Sequence, residues 1–277
     1  MPDNFIPQLT SAELLVARRK AAIAVSHCNQ RYSGEIKTKG DRVKILTPGE
    51  VSLFDYNKNT DMGDPEILDD SAQFLEITEA KAFQYYLDDV DKKQMEKQAE
   101  YEDETASDAG YKLSDYADSF VFGKYTDAGI TNTEFSAFTS ANALALLAAA
   151  SQAMLEANVP EGQTKYFEIS PQVYTKLVMA KIVKDTDNSK TIETGRVGKM
   201  FGLDIFVSNN IVQSGTTSQC LVRTKKAIAF AEQINDTEKI RHPKRFGDIH
   251  RGLMLCGSKV IVPKELICFT VVTAPEG

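Results

Sequence analysis

The sequence predicts an α+β fold, in which a β-rich stretch and a long helix precede a compact mixed body. Three patterns carry that reading. Apolar residues alternate near 43–53 and 74–83, a helical stripe runs over 91–122, and shorter helices and strands interleave from 141 onward. The chain has no internal repeat and no low-complexity tract.

At the start, Ser11 caps a short helix to about residue 25, with Leu14, Ala17, Ala21 and Val25 near helical spacing. Arg18, Arg19 and Lys20 form a basic trio on it. A β excursion follows: Val43 and Ile45 alternate with polar neighbours, and Val51 and Leu53 come after a Pro48-Gly49 turn. Its tip, 57–65, is turn formers and charges apart from Met62. Such a ribbon has too little apolar material to hold itself together, so its alternating residues are expected to be buried on a neighbour.

The helical pattern over 91–122 corresponds to a rod of about 45 Å. Met95, Ala99, Ala106, Ala109, Leu113, Tyr116 and Phe120 mark a narrow stripe, and Gly110 is a candidate bend. The remaining faces are acidic, with Glu104, Asp108, Asp115 and Asp118 among their carboxylates. An Ala/Leu-rich helix spans 141–157, capped by Thr139 or Ser140 and stopped by Val159-Pro160. Residues 165–169 read as a strand, and Ser170-Pro171 opens a helix to about 182. Strands at 203–207, 227–231 and 253–262 complete the body.

The composition, 42% hydrophobic and 26% charged over 277 residues, is that of a globular protein with a sizeable core. A net charge of -7 argues against tight nucleic-acid binding, which rests on neutralising phosphates. Cys28, Cys220, Cys256 and Cys268 are scattered without a CxxC pair, favouring reduced thiols in a cytoplasm. The apolar run 21–25 is too short for a signal peptide or a membrane span.

Catalytic and metal motifs fail on inspection, so neither enzyme activity nor a cofactor is expected. Gly198-Lys199 resembles the end of a phosphate loop, but Met200 stands where a hydroxyl must hold magnesium and Glu193 replaces the first glycine. Asp185, Asp187 and Ser189 begin like a calcium loop, yet Lys190 and Arg196 occupy the glycine and acid positions. His27, His242 and His250 have no metal-ligand spacing, and His27 beside Cys28 is a neighbour in sequence only.

Several local stretches resemble one family. Leu87-Asp-Asp-Val-Asp91 leads into the long helix. Ala157-Asn-Val-Pro160, Tyr166-Phe-Glu-Ile-Ser-Pro171 and Tyr174-Thr-Lys-Leu177 follow. Thr194-Gly-Arg-Val-Gly198 and Gly202-Leu-Asp-Ile-Phe-Val-Ser-Asn209 lie mid-body, and Ala227-Ile-Ala-Phe-Ala231 and the run from Phe246 to Gly257 close it. In this order, over about residues 35–275, they resemble the Hong Kong 97-type major capsid proteins of tailed bacteriophages.

The resemblance implies an N-terminal arm (1–34), an extended β loop (35–87), a spine helix with the peripheral domain (88–137), an axial domain (138–235) and closing peripheral strands (236–277). It implies a self-assembling structural subunit, in pentamers and hexamers, of an icosahedral head around double-stranded DNA. Assembly would occur in the host bacterial cytoplasm, with a separate scaffolding protein and a portal, without tight DNA binding and without a membrane. Candidate inter-subunit contacts are Val43, Ile45, Val51, Leu53, Asn57, Lys58 and Asn59 of the loop, with Arg18, Arg19 and Lys20. Some relatives crosslink through a lysine and an asparagine. Here neither the acid nor the acceptor is placed by motif. The alternatives are a nanocompartment shell around cargo enzymes and an unrelated acidic binding domain.

Overall fold

Side chains alternate across a strand, so a strand lying between two layers feeds two cores at once. In the computed structural model, which describes residues 22–32, 42–47, 53, 58, 71–90, 98–160, 162–180 and 196–275, this alternation organises the chain.

A two-stranded antiparallel ribbon joins β1 (Arg42–Thr47) to β2 (Ser71–Glu76), pairing Val43 with Leu75 and Ile45 with Gln73. β3 (Glu79–Asp88) follows, then the spine helix α1 (Gln98–Phe122), which is uninterrupted through Gly110 and about 37 Å long. β4 (Ile130–Phe138) leads to a Thr139–Asn142 capping box and α2 (Ala143–Glu156). After β5 (Lys165–Ile169), the Ser170 side chain accepts from the Val173 N–H, and Pro171 opens α3 (Pro171–Met179). The remaining strands are β6 (Arg196–Met200), β7 (Leu203–Val207), β8 (Gln213–Ser214), β9 (Thr217–Thr224), β10 (Ile228–Arg241), β11 (Gly247–Val260) and β12 (Leu266–Thr273).

The large sheet runs β4-β12-β9-β5-β7-β6, with β8 paired to β9; the smaller one runs β10-β11-β3. On one face of the large sheet, Cys220 and Val222 of β9 and Ile267 and Phe269 of β12 meet Leu146, Leu147, Val173 and Leu177 of α2 and α3. On the other face, Leu221, Leu266 and Cys268 meet Leu113, Ala117 and Val121 of α1. β10 repeats the device: Ile228 and Phe230 join the α1 cluster, while Ala229 and Ala231 pack under the ribbon.

Two expectations are corrected here. Val43 and Ile45 are buried within the subunit itself, packed with Leu75, Ile77, Ala229, Ala231 and Leu255. Alternation correctly marked them as a buried face, and the small sheet of their own chain covers it. The boundary at 235/236 falls inside β10, and β12, expected among the closing peripheral strands, pairs with β4 and β9 in the large sheet.

The ribbon crosses the small sheet at Gly257, where a Cβ would lie 2.3 Å from the Glu76 carbonyl oxygen. Gly257→Ala is expected to destabilise the subunit by about 1–3 kcal/mol, and Ile45→Ala by about 2–5 kcal/mol. Gly123→Ala, with open space around the added atom, leaves the melting temperature near wild type. Thermal unfolding of the three variants checks this order.

Candidate assembly surfaces and the buried polar node

Behind the surfaces lies a polar node in the middle of the fold. Arg223 on β9 and Glu168 on β5 are both fully buried. Arg223 Nε donates to Glu168 Oε2 (2.8 Å) and Nη2 to Oε1 (2.7 Å), a bidentate fork. The remaining guanidinium donors reach a single helical turn, Ile23–Ser26, and the residues after it: Ala24 O (2.8 Å), His27 O (3.2 Å) and Cys28 Sγ (3.2 Å). His27 Nδ1 lies 2.8 Å from Glu168 Oε1, and because an ionised carboxylate only accepts, that nitrogen carries the hydrogen. The imidazole is stacked on Tyr166 at 4.0 Å with Phe206 edge-on at 4.3 Å.

A second carboxylate holds the same segment from the other side. Asp118 of α1 accepts from the N–H groups of Ile23 (2.9 Å) and Val25 (3.2 Å). Asn29 then bridges to β10, donating to Ile228 O (2.9 Å) and accepting from Phe230 N (3.0 Å). The expectation that Asp118 belongs to the solvated acidic face is therefore corrected: it is 1% exposed, whereas Glu104, Asp108 and Asp115 are exposed. Its spacing offered a signal, since Ser114, Asp118 and Phe122 follow one another at four-residue steps beside the Leu113, Ala117 and Val121 stripe.

The environment sets the charges. Burial alone would push the Glu168 carboxyl up; the Arg223 guanidinium and the hydrogen bonds from His27 and Arg223 outweigh it and hold it at about 2. Burial pushes Asp118 up to about 6 against its backbone donors. Burial also raises the Cys28 thiol despite Arg223 beside it. Cys28 is thus no activated nucleophile, and the adjacent His27 turns to Glu168 instead. None of the four cysteines is in a disulfide, and all are buried.

The near-motif at Gly198-Lys199 forms a β-hairpin instead of a strand-to-helix phosphate cradle: β6 pairs with β7 through a two-residue turn, Phe201 (φ 51°) and Gly202 (φ 76°). The calcium-like stretch 185–196 lies outside the described residues except for Arg196, which is on β6. A groove of about 480 Å³ beside β3 and β11 contains Phe83, Gly252, Glu238 and Arg251, but its two charges are paired with each other at 2.8 Å. Among the described residues, no group of three or more His, Cys, Asp or Glu is arranged to hold a metal, and no helix is long and apolar enough to cross a membrane.

Of the candidate contacts, Leu53 is 98% exposed and Lys58 is exposed, whereas Val43 and Ile45 are interior. Arg18, Arg19, Lys20, Val51, Asn57 and Asn59 lie outside the described residues. Sequence reading missed other exposed apolar side chains. Phe246 is 79% exposed beyond the end of β10, and Leu144 and Leu155 lie on one stripe of α2. Phe201 accepts a hydrogen bond at its carbonyl from Ser151 of that stripe.

Glu168→Gln, which keeps the side chain's shape and removes its charge, is expected to lower stability by about 3–5 kcal/mol, because Arg223 stays buried without its counter-charge. The wild-type contribution is present above pH 4.5, the ordinary carboxyl value, and is lost as pH falls toward about 2. Urea unfolding across pH checks both: the variant should show no such loss assigned to residue 168.

No protein-family model and no curated protein matches the sequence. Solved structures do match. One, from Mycobacterium phage Che8, is 22% identical, with 90% of each chain covered and a TM-score of 0.70. The capsid of the cyanophage P-SCSP1u is 19% identical over 86% of this chain and 85% of that one, with a TM-score of 0.65. A virus-like particle from Pyrococcus furiosus is 14% identical over 96% of this chain and 99% of that one, at 0.60. The likeness over about 85–90% of each chain, at TM-scores of 0.70 and 0.65, places this chain in the Hong Kong 97-type shell fold.

Proposed function

We propose that the chain is the major capsid protein of a tailed bacteriophage, a structural subunit without enzymatic activity. Many copies, in pentamers and hexamers, enclose double-stranded DNA. The observation that carries this reading is the likeness to phage capsid structures across about nine-tenths of both chains. The subunit's own physics supports it: the described interior is occupied by packing and by a closed polar node, and apolar side chains remain at extremities such as Leu53 and Phe246. The acidic balance, with Glu104, Asp108 and Asp115 exposed on α1, suits a wall that does not grip phosphate.

Assembly takes place in the host cytoplasm with a separate scaffolding protein and a portal. The extended loop acts as a clasp: its base, β1 and β2, is anchored on the subunit's own small sheet. Leu53, Lys58 and the tip reach a neighbour, and the basic trio Arg18, Arg19 and Lys20 contacts a neighbour or the scaffold. Individually weak contacts, repeated over the lattice, close the shell and let errors dissolve during growth.

Replacing residues 57–65 by an Asn-Gly turn tests the clasp. The variant is expected to fold with a melting temperature within a few degrees of wild type. Co-expressed with the scaffold, it should give no closed particles or fragile ones in negative-stain microscopy, while wild type gives closed shells. Normal, stable particles from the variant would remove the clasp. A sharp monomer or dimer from wild type under all assembly conditions would remove the shell reading, and protein cargo in place of DNA would redirect it to a nanocompartment.

A further inference from the structure

We propose that residues 22–29 form a proton-coupled strap: docking of this segment on α1 and the large sheet takes up a proton at Asp118, so the strap is held more tightly in mild acid than at neutral pH.

The geometry makes the strap itself the cause of the carboxylate's burial. Asp118 sits on α1 with its two oxygens under the backbone of Ile23 and Val25. Ala24 and Val25 are buried and pack in one cluster with Leu113, Ala117 and Val121 of the same helix. Lifting the strap returns that face of α1, and Asp118 with it, to solvent. The other charges nearby are committed. Glu168 on β5 is the like charge facing Asp118, and Arg223 on β9 is forked onto Glu168. From the strap, the His27 ring is turned to Glu168 and the Cys28 thiol is neutral. β10, β11 and β12 bring Phe230, Met254, Leu266 and the thiols of Cys256 and Cys268 to the cluster. On α1 itself, Asp115 is exposed.

Burial therefore dominates, pushing Asp118 from 3.8 to about 6. A carboxyl that binds its proton more tightly docked than undocked gains docking free energy as pH falls through 6, and the gain levels off near 3.8. The direction is opposite to that of Glu168, whose contribution is lost only below 4.5, so the two windows separate.

The test is hydrogen exchange on the full-length, unassembled subunit, following peptides that cover 22–29 and correcting for intrinsic exchange rates. Protection is expected to rise about tenfold from pH 7.5 to about pH 5 in wild type, and to stay level in Asp118→Asn, whose amide oxygen still accepts but cannot titrate. Asp115→Asn, on the exposed face, should keep the rise. Wild-type protection that is flat or falls overturns the proposal. So does a rise that persists in Asp118→Asn. Should that variant fail to fold, a carboxyl titration of Asp118 in wild type decides, with a midpoint near 6 expected and one near 4 contradicting. Because the free subunit is measured, the outcome is independent of whether the chain builds a shell.

Discussion

Arg223 and Glu168 are charged and fully enclosed, and removing two such groups from water costs several kcal/mol each before their attraction is counted. The pair is tolerable only because its geometry is complete. A guanidinium has five N–H donors, and all five find partners here: two on Glu168, one each on Ala24 O, His27 O and Cys28 Sγ. Those partners lie up to 199 residues apart in sequence. The pair therefore forms only when β5, β9 and the strap are all in place, and each of these elements is held where the others need it.

From that constraint the layering follows. β9 carries Arg223 into the α1 side of the large sheet while Cys220 and Val222, one step out of phase, serve the α2 and α3 side. α1 closes over the node with Asp118, and Asn29 continues the strap onto β10, so the two sheets share one interior. Among the described residues, the node's donors and acceptors are satisfied within the one chain. Under the proposed function, assembly falls to exposed side chains such as Leu53, Lys58, Phe246 and the Leu144–Leu155 stripe of α2.

Much of this was legible in the sequence wherever local chemistry and tertiary role agree. Ser170-Pro171, the Ala/Leu run of α2 and the apolar strands 165–169 and 203–207 each satisfy a local rule that the fold keeps. β9 was not legible, because Thr-Ser-Gln-Cys-Leu-Val-Arg-Thr looks polar, and Ser218, Arg223 and Thr224 are nonetheless interior. β4 was missed for the opposite reason: an edge strand can expose Thr133 and Glu134 without cost. Val43 and Ile45 show a third limit, since alternation reveals that a face is covered and says nothing about what covers it. Glu168 and Arg223 carry no sequence signal of their pairing, which depends on the β5–β9 register.

The central claim is that the subunit is folded around its node before assembly and uses its extremities to assemble. Hydrogen exchange compared between free subunits and purified particles tests it most directly. The account predicts strong, equal protection in both states for peptides from 22–29, 165–169 and 217–224, with peptides containing Leu53 and Lys58 gaining protection only in particles. Node peptides that exchange freely until the shell forms, or loop peptides equally protected in both states, would contradict it.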